Sequence, residues 1–344
     1  MASQRTMKAV YLEEIGRLDV REIPIPEPGP RDVLVKMKSV GVCGSDIHYY
    51  EHGRIGDFVV REPLILGHEC AGEVVEAGPE VIALQPGDRV AIEPGVPCRH
   101  CKHCLSGRYN LCTDVVFLAT PPVDGAFCEY VTSPDDFAYK LPDNVSTEAG
   151  ATIEPLSVGM HAVNLTGVGA GEAVLVLGAG PIGLLAVAAA AAAGAGHITA
   201  VDLLPNRLEA AGLMGASRTV NANEEDVAEA LRNSADVVLE CIGLEQTMAQ
   251  AIEAAKPGGR IAWIGLAADA CNLPFGKAQA KELMITGVFR YANVYQRAVN
   301  LLAAGKIDTE AVVTHRFQFP AVAEAMEFAT HNRDVALKTI VNFD

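Results

Sequence analysis

The chain has 344 residues, of which 50% are apolar and 20% are charged, so it can bury the cores of two domains and is not a disordered segment. Its formal net charge of −16 disfavours binding to nucleic acid or to an anionic membrane. Residues Met1 to Val10 lack the apolar core of a secretory signal, so we expect a cytoplasmic protein with neither nucleic acid nor membrane as a partner.

Short β-rich segments separated by turns occupy the first 150 residues. They are MKAVYL (7–12), RDVLVKMKSV (31–40), AGEVVEAG (71–78), DRVAIE (88–93) and GAFCEYVTS (125–133). Proline and glycine clusters, such as the one at residues 24–30, lie between them. This spacing predicts a compact, mostly β domain with long loops.

Four cysteines in this part of the chain follow the spacing Cys-x2-Cys-x2-Cys-x7-Cys. They are Cys98, Cys101, Cys104 and Cys112. Four thiolates satisfy tetrahedral Zn²⁺ completely, so they predict a structural zinc site with no open coordination position. An odd total of nine cysteines, clustered in this way, favours metal binding over disulfides.

A second group of potential metal ligands is dispersed, with Cys43 in GVCGSDIHYY and the pair His68-Glu69. One thiolate, one imidazole and a carboxylate form a mixed set that leaves room for water or substrate, which is typical of catalytic zinc. Taken singly, a cysteine such as Cys43 is more often a buried small apolar residue, and a histidine such as His68 is more often a hydrogen-bonded core residue; their combination with the dinucleotide motif favours the metal site.

From about Leu156, alanine-rich helical runs alternate with short aliphatic strands. The strands are AVLVLG (173–178), HITAVD (197–202), ADVVLECIG (235–243), RIAWIG (260–265) and LMITGVF (283–289). The alternation predicts βαβ units and a doubly wound parallel sheet with a ligand at its strand ends. The uncharged residues 173–196 are long enough to span a bilayer, but their glycines and Pro181 favour a strand, a turn and a helix instead.

The sequence Gly178-Ala-Gly180-Pro-Ile-Gly183 lies between the first of these strands and a helix. In a dinucleotide fold the first glycine makes the tight turn, the second admits a pyrophosphate, and the third packs helix on strand. Asp202 ends the next strand, where a ribose-binding acid is expected, and it disfavours the 2′-phosphate of NADP. NAD is therefore favoured, although an ordinary βα turn with Asp202 as a cap is the alternative. Arg207 either reaches the adenosine end or is an exposed helix arginine.

Beyond Phe289 the sequence predicts a helix at Val294 to Ala304 and a strand, ALKTIVNF, at residues 336–343. No long flexible linker precedes them, so we expect this tail to pack onto the first domain.

Several long segments resemble the medium-chain zinc-dependent dehydrogenases, and most closely their polyol branch, the sorbitol and xylitol dehydrogenases. The segments are CGSDIHYYEHGRIGDF, LGHE, GDRVAIEPG, GRYNLC, ATPPVDG, IEPLSVGMHA, GVFRYAN and VTHRF, and they extend over essentially the whole chain. The resemblance implies an α/β fold: a Rossmann doubly wound domain at residues 156–289, and a mostly β, GroES-like catalytic domain formed by residues 1–155 and 290–344. It further implies an NAD-dependent zinc enzyme of the L-iditol/sorbitol 2-dehydrogenase or D-xylulose reductase type, which oxidises a secondary hydroxyl of a sugar alcohol to the ketose.

The resemblance also assigns roles to individual residues. Cys43, His68 and Glu69 surround the catalytic zinc, with Glu154 contributing directly or through water, and which of the two glutamates is a direct ligand stays open. The proton must cross from a buried metal to solvent, and we expect it to leave through Ser45 and His48 or through water held by Glu154. Tyr49, Glu154, Arg290 and Tyr291 contact the polyol. The expected NAD contacts are Gly178, Gly180, Ile182, Gly183, Asp202, Arg207, Ile264, Gly265, Leu266, Val288, Phe289 and Arg290.

Other readings of these residues stay open. Arg290 is also compatible with an interdomain salt bridge, and Glu154 with a helix-start carboxylate. The enzyme could act on threonine, a small diol or a primary alcohol, or the chain could be a non-catalytic nucleotide binder. Mammalian-type polyol dehydrogenases have lost the four structural cysteines, so their presence here indicates a bacterial or fungal type and leaves the preferred polyol and reaction direction open. A homotetramer is expected by analogy, with a dimer as the alternative.

Overall fold

The structure, a computed structural model, describes residues 5–344 and divides them into two compact units. The first four residues, part of the stretch predicted to lack a secretory signal, lie outside the described residues. One unit comprises the chain up to Glu154 together with Tyr295–Ala303 and Val313–Asp344, and the other comprises Pro155–Val294 and Ala304–Val312. The domain boundaries predicted from the sequence differ from this division by a few residues near 290 and in the assignment of Ala304–Val312.

Short strands dominate the first unit, as its alternating apolar residues predict. Its N-terminal strands are β1 Thr6–Glu14, β2 Arg17–Pro24, β3 Asp32–Gly41, β4 Arg54–Ile55, β5 Phe58–Val59, β6 Leu64–Ile65, β7 Glu69–Ala77, β8 Arg89–Ile92, β9 Gly95–Val96, β10 Val116–Phe117, β11 Tyr130–Pro134 and β12 Ala138–Lys140. Its helices in the same stretch are α1 Gly44–His52, α2 Lys102–Leu105 and α3 Thr147–Ala151, with 3₁₀ turns at Tyr109–Leu111 and Asp135–Phe137.

A seven-stranded sheet in the order β12-β8-β7-β3-β20-β19 forms the centre of this unit, with β11 also paired to β3. Its strands β19 Val313–Gln318 and β20 Lys338–Asn342 come from the end of the chain. Smaller sheets pair β2-β1-β6, β10-β9 and β4-β5. Fully buried side chains such as Met37, Leu66 and Phe127 fill the core between them. The candidate metal ligands described below lie at strand ends and in loops around this core.

The second unit alternates helices and strands. In chain order its elements are α4 Ile153–Thr166, whose first two residues belong to the first unit, β13 Ala173–Leu177, α5 Pro181–Ala192, β14 His197–Asp202, α6 Pro205–Leu213, β15 Arg218–Asn221, α7 Val227–Ala230, β16 Ala235–Glu240, α8 Glu245–Ala254, β17 Ala255–Trp263, α9 Phe275–Ala280 and β18 Met284–Gly287. The six strands are parallel in the order β15-β14-β13-β16-β17-β18. The order reverses between β14 and β16, on either side of β13, which confirms the predicted doubly wound sheet.

The tail consists of α10 Tyr295–Ala303, β19 Val313–Gln318, α11 Val322–His331 and β20 Lys338–Asn342. β20 pairs antiparallel with β3, and Val322 and Met326 of α11 are fully buried in the core of the first unit. The tail thus returns to the first unit. Among residues 5–344, no helix combines the length and apolar character needed to cross a bilayer.

Candidate metal and nucleotide sites

The four clustered cysteines converge in the loop that follows β9. Their sulfur atoms all lie within 4.8 Å of one another. Cys104 Sγ is 3.4 Å from Cys101 Sγ and 3.8 Å from Cys98 Sγ, and tetrahedral zinc with Zn–S bonds of about 2.3 Å separates its sulfurs by roughly the same distance. The backbone N–H groups of Cys98 and Cys101 donate to Cys112 Sγ and Cys98 Sγ, each at 3.3 Å, which stabilises thiolates. The donor set therefore fits a closed, structural zinc site.

The second predicted group also converges. Cys43 immediately precedes α1, His68 ends the loop before β7, and Glu69 is the first residue of β7. One ligand atom from each lies within 4.8 Å of the other two. His68 and Glu69 are buried and Cys43 is half-buried, so the thiolate side of the group is the more accessible. Three protein ligands with one accessible side is the arrangement of catalytic zinc.

Asp46, which the sequence analysis missed, ties the two ligand-bearing segments together. It is fully buried, and its carboxylate accepts the N–H of Cys43 at 2.9 Å and the N–H of Gly67 at 3.0 Å. Its Oδ1 is also 3.7 Å from Nδ1 of His68. An acidic residue three positions into a helix, in CGSD, is a capping signal that the sequence offers. Its second contact, to Gly67, depends on the fold.

Lys338 of β20 is a second missed residue. Its Nζ is buried and donates to both carboxylate oxygens of Glu69, each at 2.7 Å, and to the carbonyl of Val42 at 3.0 Å. Burial alone would lower the pKa of Lys338, but the charges of Glu69 and Cys43 raise it above its ordinary value. A lysine inside the apolar segment ALKTIV signals a buried charge that needs a partner, although the sequence does not identify that partner.

The charges around Cys43, His68 and Glu69 favour a cation. Burial alone would lower the pKa of His68, yet the Cys43 sulfur and the Asp46 carboxylate raise it well above its ordinary value. Neighbouring Cys70 differs, because burial raises the pKa of its thiol to about 12. The site therefore presents one sulfur, one imidazole and one carboxylate, and this donor set fits zinc.

The other predicted residues of this region lie in the same unit. Glu154, in the first turn of α4, is buried but outside the group of ligand atoms within 4.8 Å, and its charge acts on Cys70 and Lys338. On α1, Tyr49 is buried, Ser45 is half-buried and His48 is exposed. Because α1 starts directly after Cys43, these three residues occupy the two helical turns that follow a candidate metal ligand.

The family is decided by comparison with known proteins. The profile described as "Alcohol dehydrogenase GroES-like domain" matches residues 29–143, and the profile described as "Zinc-binding dehydrogenase" matches residues 181–304. The chain belongs to the zinc-binding dehydrogenases. This confirms the predicted fold class, a GroES-like domain with a Rossmann-type parallel sheet, and the family predicted from the sequence.

Similarity to individual members of the zinc-binding dehydrogenases extends over almost the whole chain. A sorbitol dehydrogenase of Bacillus subtilis is 44% identical, covering 98% of this chain and 97% of its own length, and one of Rattus norvegicus is 46% identical, covering 96% and 94%. A crystal structure of an Escherichia coli oxidoreductase of unknown specificity has a TM-score of 0.94 and 39% identity, covering 99% of this chain and 100% of that chain. These relatives confirm the prediction of a zinc-dependent polyol dehydrogenase.

In this zinc-binding dehydrogenase the predicted glycine turn joins β13 to α5. Gly178 has φ +90, which side chains other than glycine rarely adopt. A Cβ on Gly183 would lie 1.8 Å from the carbonyl oxygen of Gly178, so only glycine lets α5 pack this closely on the turn. Gly180 precedes Pro181 at the start of α5, whose N-terminal N–H groups face an anion-binding position. Ile182 is half-buried in the first turn.

A cavity of about 740 Å³ opens beside this turn, entirely within the second unit. Gly178, Gly180, Asp202 and Arg207 are among the residues that line it. The carboxylate of Asp202 accepts the N–H groups of Ala179 at 2.8 Å and of Leu203 at 2.8 Å. Arg207 lies 3.7 Å from Asp202, and its side chain is only 21% exposed, so it is a cavity residue and not an exposed helix arginine.

The remaining predicted residues follow β17 and β18. Ile264 and Gly265 are half-buried and Leu266 is exposed, directly after β17. Val288 and Phe289 follow β18, and the guanidinium of Arg290 lies 4.8 Å from the centre of the Phe289 ring. Arg290 has φ 53, and Tyr291 beside it is buried. All of these residues lie after the carboxyl ends of parallel strands, where doubly wound sheets bind ligands.

Proposed function

We propose that this zinc polyol dehydrogenase oxidises a secondary hydroxyl of sorbitol, xylitol or a similar sugar alcohol to the ketose and reduces NAD. The first unit would act as the catalytic domain and the second as the NAD-binding domain. The observation that carries the proposal is the convergence of Cys43, His68 and Glu69, which occurs in a chain that also has a glycine turn and an acidic residue for a dinucleotide.

Zinc held by these residues would polarise the substrate hydroxyl and lower its pKa, and NAD would accept the hydride. The chain itself orients the ligands: Asp46 holds Cys43 and the residue before His68, and Lys338 holds Glu69. Ser45 and the exposed His48 would pass the released proton to solvent. Burial, and the neighbouring His52 and Arg333, lower the pKa of His48, so its ring is mostly neutral near neutral pH and can accept that proton.

A polyol is uncharged and rich in hydroxyls, so recognition depends on hydrogen bonds. We assign this role to Tyr49, Glu154, Arg290 and Tyr291. A site that hydrogen-bonds several hydroxyls rejects alcohols that lack them, because its own buried polar groups are then left unpaired. This argument favours a polyol over a simple primary alcohol as the substrate.

A substrate panel tests the proposal. Initial rates would be measured with sorbitol, xylitol, galactitol, threonine, butane-2,3-diol and ethanol, each with NAD and with NADP, before and after chelation and zinc repletion. We expect the highest kcat/KM with a polyol and NAD, loss of activity on chelation, and recovery with zinc. Equal rates for ethanol and the polyols, or a preference for NADP, would contradict it.

The variant His68→Ala distinguishes zinc bound by the group of Cys43, His68 and Glu69 from zinc bound by the four cysteines. It removes a ligand of the mixed group and leaves the four cysteines untouched, so zinc per subunit should fall from about two to about one with loss of activity. The matched control is Cys112→Ser, which should also remove about one zinc but act first on stability. Two zinc ions retained in His68→Ala would exclude this residue as a ligand.

We also propose a cytoplasmic homotetramer. The nine cysteines are all free in the structure, as expected for a reducing compartment. β18 is an edge strand that pairs only with β17 among the described residues, and Met284 on it is 63% exposed. An apolar sheet edge favours pairing with a second copy of the chain.

A further inference from the structure

Glu240, the last residue of β16, has no exposed surface and was not among the residues predicted to form a site. One of its carboxylate oxygens, Oε1, accepts three hydrogen bonds. The donors are the N–H of Ile242 at 2.9 Å, the N–H of Gly243 at 2.9 Å and the hydroxyl of Thr247 at 2.8 Å. A single buried oxygen therefore holds the 241–247 loop, by which we mean the residues after β16 together with the first turn of α8.

The backbone of the same residue holds a second loop. The carbonyl of Glu240 accepts the N–H of Ile264 at 2.8 Å and of Gly265 at 3.1 Å. The backbones of the two loops are in direct contact, so that neither glycine could carry a side chain. An added Cβ on Gly243 would lie 2.4 Å from the carbonyl oxygen of Leu266, and one on Gly265 would lie 2.1 Å from the N of Gly243. Glu240 is thus bonded to both loops, through its side chain to one and through its backbone to the other.

The first of these loops forms a wall of the 740 Å³ cavity beside the glycine turn, to which Cys241, Ile242, Leu244 and Thr247 contribute. Glu240 itself does not line the cavity. Its second oxygen, Oε2, is buried and has no hydrogen-bond partner among the described residues. A buried carboxylate with an unsatisfied oxygen is unfavourable for folding, so stability alone does not account for it.

We propose that Glu240 is a positioning residue for the dinucleotide: it fixes the 241–247 loop against the 264–266 loop in the arrangement that shapes the cofactor cavity. The inference rests on the proposed use of NAD. Without the carboxylate, the N–H groups of Ile242 and Gly243 lose their acceptor, and the loop relaxes into or away from the cavity. Cofactor affinity would change, whereas the zinc groups, which lie in the other unit, would not.

Trp263 provides a direct readout. It is the only tryptophan of the chain and pairs with Glu240 in the register of β16 and β17. NADH absorbs where tryptophan emits, so bound NADH quenches Trp263 by energy transfer, and a titration gives the dissociation constant without turnover. Variants of the zinc-loaded full chain would be Glu240→Gln, Glu240→Asp and Glu240→Ala. The matched control is Asp236→Ala, which removes a carboxylate at the opposite end of the same strand, bonded to Ala173 N–H and Lys256.

We expect Glu240→Gln to keep the NADH dissociation constant within about threefold of the parent, because an amide oxygen can accept the same three bonds. Glu240→Asp, one methylene too short, should raise it about fivefold, and Glu240→Ala tenfold or more. KM for NAD should rise in parallel, with KM for the polyol unchanged. Asp236→Ala should lower the unfolding midpoint but leave NADH binding unaltered.

Equal dissociation constants for the parent and Glu240→Asp would overturn the inference, and this comparison stands even if Glu240→Ala does not fold. An equal weakening in Asp236→Ala would overturn it as well, since general destabilisation would then explain the effect. Failure of the parent to bind NADH at all would instead overturn the proposed function, so the two failures are distinguishable.

Discussion

Lys338 and Glu69 form an ion pair that is almost completely buried, with side chains 4% and 1% exposed. The desolvation cost of burying two charges can exceed the energy of their attraction, so a buried ion pair is weak evidence for stabilisation. Its geometry can serve another purpose. Here the carboxylate belongs to the candidate catalytic ligands. The ammonium holds both of its oxygens, so it determines how Glu69 faces Cys43 and His68.

Lys338→Met should therefore destabilise the zinc-free protein more than the zinc-loaded protein. Removing one member of a buried pair leaves an uncompensated charge and typically costs about 3–5 kcal/mol, but a bound cation near Glu69 would offset part of that cost. Urea unfolding with and without chelator measures both values. Lys338→Arg is the control and should recover part of the loss, and identical penalties in the two forms would refute the link between Lys338 and the metal.

Arg290 carries a second residue-scale prediction. Its guanidinium lies against the ring of Phe289 and can donate several hydrogen bonds. Arg290→Ala should lower kcat/KM for sorbitol by roughly tenfold to a hundredfold, which is the value of a charged hydrogen bond, and should leave a simple secondary alcohol little affected. Steady-state kinetics on the two substrates give the ratio. A proportional loss on both would assign Arg290 to structure instead of substrate recognition.

At the scale of elements, Glu93 links β8 to the four-cysteine loop. It is 1% exposed and accepts the hydroxyl of Tyr109 at 2.6 Å and that of Tyr139 at 3.0 Å. Burial raises the pKa of Glu93 to about 7; the two tyrosine hydroxyls lower it in part, and the charges of Glu154 and Asp136 raise it further. Between about pH 4.5 and about pH 7, the folded protein therefore keeps a proton on this carboxyl that the unfolded chain has released.

The sign of the pH dependence follows from that shift. Because the folded pKa of Glu93 lies above the ordinary value of 4.5, its contribution to stability is complete below pH 4.5 and is lost as pH rises through about 7. Glu93→Gln has no proton to lose, so its stability relative to the parent should improve by about 2–3 kcal/mol between about pH 5 and about pH 8.

Urea unfolding at several pH values tests this, and Glu148→Gln is the matched control. Burial would raise the pKa of Glu148, but its hydrogen bonds to Arg316 and Asn342 lower it below its ordinary value. Glu148→Gln should therefore show a nearly constant penalty over the same pH range, because Glu148 stays ionised throughout. Parallel profiles for Glu93→Gln and the parent would contradict the buried-proton argument.

The sequence predicted most elements whose apolar residues form a continuous pattern and are buried in the structure. It missed strands in which most residues are exposed. β13 and β16 are short aliphatic runs, and the structure places them at the centre of the parallel sheet. β2 was missed because six of its eight residues are exposed, so its apolar alternation is weak. β15 was missed because only Val220 of its four residues is buried.

At the scale of the whole molecule, local spacing predicted the four-cysteine group and the glycine turn, whereas the dispersed group of Cys43, His68 and Glu69 was assigned from the resemblance. Chain topology supplied the residues that support these groups. The four cysteines lie within one short segment, residues 98–112, and the three glycines lie within another, residues 178–183, so each motif is visible in the local sequence. Lys338 and Glu69, by contrast, are 269 positions apart and meet only because β20 joins the sheet beside β3. Such long-range partners follow from strand order, which no local pattern in this sequence encodes.

The exposed strand β18 at the edge of the parallel sheet is a candidate contact between subunits. If two copies pair along β18 about a twofold axis, the exposed Met284 of each copy lies at the contact, and Met284→Lys would place a charge there. We expect this variant to sediment as a smaller species than the parent at equal concentration, with its zinc content unchanged. Ile82→Lys, at a side chain that is 94% exposed in the other unit, is the control and should keep the parent's mass. An unchanged mass for Met284→Lys would exclude this edge as the contact between subunits.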